Sequence, residues 1–187
     1  IYRNESGTLE TTPTWGIGST SSDRGVTTGD VDGNGDSDMM IGVGNTGSKL
    51  YSNTDGVLSP TYNANPPFKG QQEIVLVDFD NDGDQDFAEV HFSDGKTHLY
   101  VNTDGVLSTV PDWTFDATEV GNAIAFGDLN GDGWKDLVVG YSGNTSVRVF
   151  FATPTVPACP ADLTGDNFVD DADFVIFAQA YGSFTCP

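Results

Sequence analysis

Short apolar runs cut off by Gly, Asn and Asp recur along residues 1–152. One set leads into an acidic stretch: GVTTGDV, EIVLVDF and NAIAFGDL. A second set leaves it: DMMIGVG, DFAEVHF and DLVVGYS. A third follows a Gly-rich turn: SKLYSN, KTHLYVN and SVRVFF. Their alternation, their β-branched and aromatic content and their turn residues predict strands joined by hairpins. A fourth, weaker strand is expected after NTDGVLS, in the segments carrying Trp15, Tyr62 and Trp113. No amphipathic helix is predicted before residue 170.

The pattern is periodic. IYRNESGTL begins at Ile1, LYSNTDGVL at Leu50 and LYVNTDGVL at Leu99, with a degraded copy, VFFATPTV, at Val149. Tyr2, Tyr51 and Tyr100 are 49 residues apart, and Phe150 follows 50 later. A step near 50 residues marks a repeated supersecondary unit, and four short strands per step fit a propeller blade. The phase suggests a chain that opens on the end of one unit and then runs through three more. The expected class is therefore all-β, with about three four-stranded propeller-type blades.

Each repeat carries one dense acidic loop: DVDGNGDSD at 30–38, DFDNDGDQD at 78–86 and DLNGDGWKD at 128–136. Counting from the first aspartate, positions 1, 3, 5 and 9 hold Asp30, Asp32, Asn34 and Asp38 in the first loop. They hold Asp78, Asp80, Asp82 and Asp86 in the second, and Asp128, Asn130, Asp132 and Asp136 in the third. Position 6 is always glycine, which permits a sharp turn, and position 7 (Asp36, Asp84, Trp134) can supply a backbone carbonyl. Oxygen-only donors at these offsets suit a hard cation, and their number suits Ca²⁺ better than octahedral Mg²⁺. Asp, Asn and Gly are also ordinary turn formers, but a fixed offset in three copies favours metal.

Residues 1–152 thereby resemble the FG-GAP/VCBS repeat family, the calcium-loop blades of integrin-α-like propellers. The resemblance rests on the D-x-[DN]-x-[DN]-G-x-x-D loops and the YxNTDGVLS turns. It implies an extracellular setting and Ca²⁺ bound as a strut between strands. Such blades usually close a ring of about seven. Three and a fraction leave sheet edges for pairing, with another copy or with the rest of a longer propeller.

The C-terminal segment differs. Prolines in 153–158 mark a linker, and 159–187 resembles a single dockerin type I repeat. From Asp162 as position 1, a twelve-residue EF-hand-type loop would use Asp162, Thr164, Asp166, the Phe168 carbonyl, Asp170 and Asp173. Asn167 stands where the loop usually has glycine. DADFVIFAQAY reads as a short helix with Phe174, Phe177 and Ala178 on one face. A disulfide between Cys159 and Cys186, which bracket this module, is expected; closing about 27 residues, it would contribute roughly 3 to 4 kcal/mol.

Charge narrows the partners. The 28 acidic residues against 7 basic give a net charge of -21, which argues against nucleic acid and anionic membranes. No apolar run reaches the roughly 20 residues of a membrane span. The four loops hold 17 of the 28 acids, so four bound calcium ions would relieve much of the self-repulsion. No nucleophile signature surrounds His91 or His98, which strict strand alternation would place on opposite faces. Glu73 and Glu89 form only a weak candidate carboxylate pair, and no enzymatic function is expected. Trp15, Trp113 and Trp134 could offer a sugar-stacking surface, although core packing is the more usual use of tryptophan.

Taken together, these features predict a secreted or cell-surface calcium-binding protein with a structural or adhesive role. It would self-associate into an extracellular assembly or filament, or bind another extracellular protein. The alternative is a fragment of a larger extracellular propeller with a carbohydrate or protein ligand.

Overall fold

The computed structural model describes residues 4–13, 15–16, 23–43, 47–61, 70–143 and 147–153. The chain divides into Ile1–Ala152 and Thr153–Pro187. Nearly all of the second part, including the EF-hand-type loop, the helix and both cysteines, lies outside the described residues.

The described residues are all β. A first hairpin pairs β1 (Asn4–Glu5) with β2 (Thr8–Leu9). Repeat 1 is an antiparallel sheet of β3 (Asp23–Gly29), β4 (Asp38–Val43) and β5 (Lys49–Tyr51), followed by the hairpin β6 (Asn53–Thr54) and β7 (Val57–Leu58). Repeat 2 repeats the plan with β8 (Gln71–Val77), β9 (Asp86–His91) and β10 (Lys96–Tyr100), then the hairpin β11 (Asn102–Thr103) and β12 (Val106–Leu107). It adds a fourth strand, β13 (Trp113–Asp116), paired to β10 through Leu99↔Trp113 and Thr97↔Phe115. Repeat 3 comprises β14 (Val120–Gly127), β15 (Asp136–Ser142) and β16 (Val147–Phe150).

The fourth strand expected in each repeat is seen at Trp113. Trp15 is not in a strand, and Tyr62 lies outside the described residues.

The small hairpins turn through Ser6-Gly7, Asp55-Gly56 and Asp104-Gly105, all at positive φ. Two consecutive left-handed residues make the type I′ turn, whose twist matches that of the flanking strands. The first strand of each repeat is interrupted at the same place, with register shifts between Asp23/Gly25, Gln71/Glu73 and Gly121/Ala123.

Middle strands β4 and β9 are buried at all six positions: β9 lies between its two neighbouring repeats, and β4 between repeat 2 and the cluster of Trp15 and Leu58. Met40, Leu50 and Val31 of repeat 1 pack with Ile74, Leu76, Phe87 and Tyr100 of repeat 2. Ala88, Val90 and Leu99 of repeat 2 pack with Ile124, Leu137, Val139 and Tyr141 of repeat 3. On the other side of repeat 1, Met39, Ile41, Val43 and Tyr51 cluster with Trp15 and Leu58.

Candidate metal centre

The three acidic loops each join the first strand of a repeat to its middle strand, so the sheets present them in the same way. Tight coiling comes from two left-handed positions. Gly35, Gly83 and Gly133 at position 6 have φ of 93°, 101° and 87°. Gly33, Asn81 and Gly131 at position 4 have φ of 73°, 61° and 81°. Gly or Asn, residues that tolerate this conformation, stands at position 4 in all three copies, a signal beyond the ligand offsets.

Side-chain oxygens at positions 1, 3 and 5 turn inward onto the loop's own N–H groups. The position 1 carboxylate accepts from the position 6 N–H at 2.8, 3.2 and 2.9 Å in the three loops. The position 3 oxygen accepts from the position 5 N–H at 3.2, 3.3 and 2.9 Å. The position 5 oxygen accepts from the position 7 N–H at 2.8, 2.9 and 2.8 Å.

Carboxylates also converge. Ligand oxygens of Asp30, Asp32 and Asp38 lie within 4.8 Å of one another, as do those of Asp78, Asp80 and Asp86. Oδ1 of Asp78 is buried with no hydrogen-bond partner. Burial first, and the Asp82 charge second, raise the pKa of Asp80. Burial pushes Asp86 up to about 6 against the bonds it accepts, and the charges of Asp80 and Asp82 add to the shift. Like charges held this way fit a hard divalent cation with oxygen ligands.

The third loop is arranged differently. Asp128 accepts from Gly131, Asp132 and Gly133, bonds that hold its pKa down, and Asn130 Nδ2 donates to Asp132 at 2.8 Å. Asp136 sits at position 9, but no three-carboxylate group forms there among the described residues. Trp134, at position 7, is partly buried.

Position 9 has a second role. Asp38, Asp86 and Asp136 are fully buried. In each, Oδ2 accepts from the position 2 N–H, of Val31, Phe79 or Leu129, at 2.9, 3.0 and 2.9 Å. Oδ1 accepts from a distant N–H, of Asn53, Asn102 or Ala152, at 2.7, 2.8 and 2.9 Å. One carboxylate therefore clasps the start of the loop to the chain beyond the third strand.

Asn53 and Asn102 return the bond, donating Nδ2 to the carbonyls of Ser37 and Gln85 at position 8, each at 3.0 Å. At position 7 the side chains of Asp36 and Asp84 accept from the turn N–H of Asp55 and Asp104 at 2.6 and 2.8 Å. These Asn residues were missed as site residues; their signal was the constant Asn in the Y-x-N motif. Asn102 Nδ2 also reaches the Val31 carbonyl at 2.8 Å, and Asn81 Nδ2 the Gly133 carbonyl at 3.0 Å, so neighbouring repeats are tied through their loops.

Two windows of this chain, residues 30–89 and 78–139, match the FG-GAP-like repeat family. Both windows open on the first aspartate of an acidic loop. The chain belongs to the FG-GAP-like repeat family. FG-GAP repeats are typical of extracellular proteins and serve structural and adhesive roles. No curated protein matches the chain. Among the described residues no helix is long and apolar enough to cross a membrane.

His91 and His98 do not face opposite sides. The chain reverses between β9 and β10, with His98 opposite Glu89, so both rings lie on one face, stacked at 4.8 Å. Glu89 Oε1 lies 3.1 Å from His91 Nε2 and accepts from the Tyr100 hydroxyl at 2.9 Å. Asp94 lies 3.2 Å from His91 Nδ1. Glu73 is on the other face, accepting from the Ile124 N–H at 3.1 Å, so the Glu73–Glu89 pair does not form. The tryptophans divide similarly: Trp15 packs edge-on against Tyr51, and Trp113 stacks with Phe115.

The buried histidine has a pH signature. Burial first, and the neighbouring His91 second, lower the His98 pKa. The unfolded chain then takes up a proton near pH 6.5 that the folded chain refuses. Stability is fully present above about pH 6.5 and is lost as pH falls toward the folded value, by up to about 1.4 kcal/mol per unit between the two. Urea unfolding of the wild type against His98→Asn, at pH 7.5 and 5.5, should show a shallower pH slope in the variant. Equal slopes would remove His98 as the cause.

Proposed function

We propose that this FG-GAP chain is a secreted calcium-binding structural or adhesive protein. Its repeats act as propeller-type blades held by Ca²⁺, and copies of it associate into an extracellular assembly or filament. The convergence of three carboxylates in each of the loops at 30–38 and 78–86, all buried or half-buried except the exposed Asp32, carries the proposal. Those loops would bind through Asp30, Asp32, Asn34 and Asp38, and through Asp78, Asp80, Asp82 and Asp86. The carbonyls of Asp36 and Asp84 would complete them. The third loop would use Asp128, Asn130, Asp132, the Trp134 carbonyl and Asp136 after its side chains turn from their present N–H partners. A fourth site at 162–173 and a Cys159–Cys186 disulfide belong to the same proposal.

Light scattering in millimolar Ca²⁺ and then in excess chelator tests it. Assemblies in calcium that fall to single chains on chelation are expected. A single chain in both conditions would sink the association and favour a segment of a larger propeller that binds a carbohydrate or protein ligand. Calorimetric titration tests the metal separately, with saturable Ca²⁺ binding expected.

A further inference from the structure

Successive repeats meet through the same two faces. One, here called distal, presents Met40 and Leu50 in repeat 1 and Ala88 and Leu99 in repeat 2. The proximal face of the next repeat receives them, with Ile74 or Ile124 near its centre.

Repeat 3 has a distal face as well. The registers Ala125↔Val138↔Val149 and Gly140↔Val147 place these residues on one side of the sheet. Val147, Val149, Phe151 and Leu129 are 58, 43, 58 and 56% exposed. The counterparts of Val149 in repeats 1 and 2, Leu50 and Leu99, are 6 and 8% exposed. Among the described residues the one charge on this side is Asp136, whose fully buried carboxylate is turned onto two N–H groups; Arg148 is on the other side, paired with Glu119 at 2.9 Å. An apolar sheet face of this kind marks an interaction surface.

The proximal face of repeat 1 is half covered. Val26 is 65% exposed, whereas its counterparts Ile74 and Ile124 are 4 and 7%. Tyr51, further out, is capped by Trp15 at 5.6 Å and 77°. Trp113 caps Phe150 in nearly the same way, at 5.4 Å and 76°. Trp113 lies on the fourth strand of the repeat 2 sheet, after hairpin β11–β12. Trp15 likewise follows a hairpin, β1–β2. Beside β16 there is no fourth strand among the described residues.

We infer that a second copy of this chain covers both faces: the distal face of repeat 3 in one copy docks on the proximal face of repeat 1 in the next. Room exists for Val26. Inside the chain, Ile74 lies over Gly25 and Gly42, where an added Cβ would come within 2.8 and 3.2 Å of its side chain. The corresponding residues in repeat 3 are Ala123 and Gly140, and the nearest atom to a Cβ on Gly140 would be the Ala123 Cβ at an ordinary contact distance of 3.4 Å. The contact is heterologous, so copies add head to tail, closing into a ring or extending as a fibre. It rests on the self-association proposed above and names its surfaces.

The test uses Val149→Glu and Val26→Glu in the full chain, with circular dichroism to confirm unchanged folding at these exposed positions. In calcium the wild type should scatter as a multimer, and each variant alone as a single chain. An equimolar mixture should form dimers and stop, since each variant keeps one intact surface. Continued assembly by Val26→Glu alone would indicate pairing of two distal faces and overturn the inference. So would a mixture that stays monomeric. A wild type that assembles whatever is done at Val149 leaves self-association standing and removes this interface; a monomeric wild type removes both.

Discussion

Asp86→Ala is expected to lower folding stability by about 2 to 5 kcal/mol, because two backbone donors lose their acceptor. The N–H groups concerned, of Phe79 and Asn102, now bond opposite oxygens of a fully buried carboxylate. Asp86→Asn keeps one acceptor oxygen and should lose about half as much. Asp80→Ala removes a candidate metal ligand without touching the clasp, so in chelator it should be nearly neutral. Urea midpoints for the three variants, in calcium and in chelator, separate the roles. If Asp86→Ala behaves like Asp80→Ala in chelator, the clasp contributes little and position 9 acts only through metal. The loss foreseen is a large part of the roughly 5 to 15 kcal/mol that holds an ordinary domain together.

Calcium removal should have an effect of similar size spread over several loops. Extracellular modules bind Ca²⁺ with Kd of about 10⁻⁴ to 10⁻³ M. At ten times Kd each site adds about 1.4 kcal/mol, so three loops add about 4. For a chain of this size that corresponds to a fall of roughly 10 °C in the unfolding temperature on chelation. Relief of repulsion acts in the same direction, since the net charge is -21. A melting curve unchanged by chelator, at low ionic strength where carboxylate repulsion is greatest, would mean that the N–H bonds inside the loops suffice without an ion.

Much of the fold was legible because its signals are local. The 49-residue step of Tyr2, Tyr51 and Tyr100 set the repeat, and alternation set the strands. The acidic loops were legible as well, since position 6 needs a left-handed backbone that glycine adopts freely. What stayed hidden depends on which segments meet. His91 and His98 share a face because a turn reverses the chain between them, and counting along one strand cannot register a reversal. The clasp from Asp86 to Asn102 spans 16 residues and joins a carboxylate to a main-chain N–H, a partner that leaves no side-chain signature. Trp15 and Trp113 occupy matching places in sequence, yet among the described residues only Trp113 lies in a strand, where β10 offers its edge.

Ala152 stands where repeats 1 and 2 have asparagine, and its N–H still reaches Asp136 at 2.9 Å. A clasp that takes hold of the main chain is indifferent to the side chain at its far end. The copies can therefore differ at this point, as Ala152 does from Asn53 and Asn102, without losing the bond. The buried aspartate has no such freedom, since no other residue offers two short-armed acceptors at that point. A gene built this way can lengthen by copying and diversify at once, with one carboxylate per copy keeping each new segment folded while the rest of it changes.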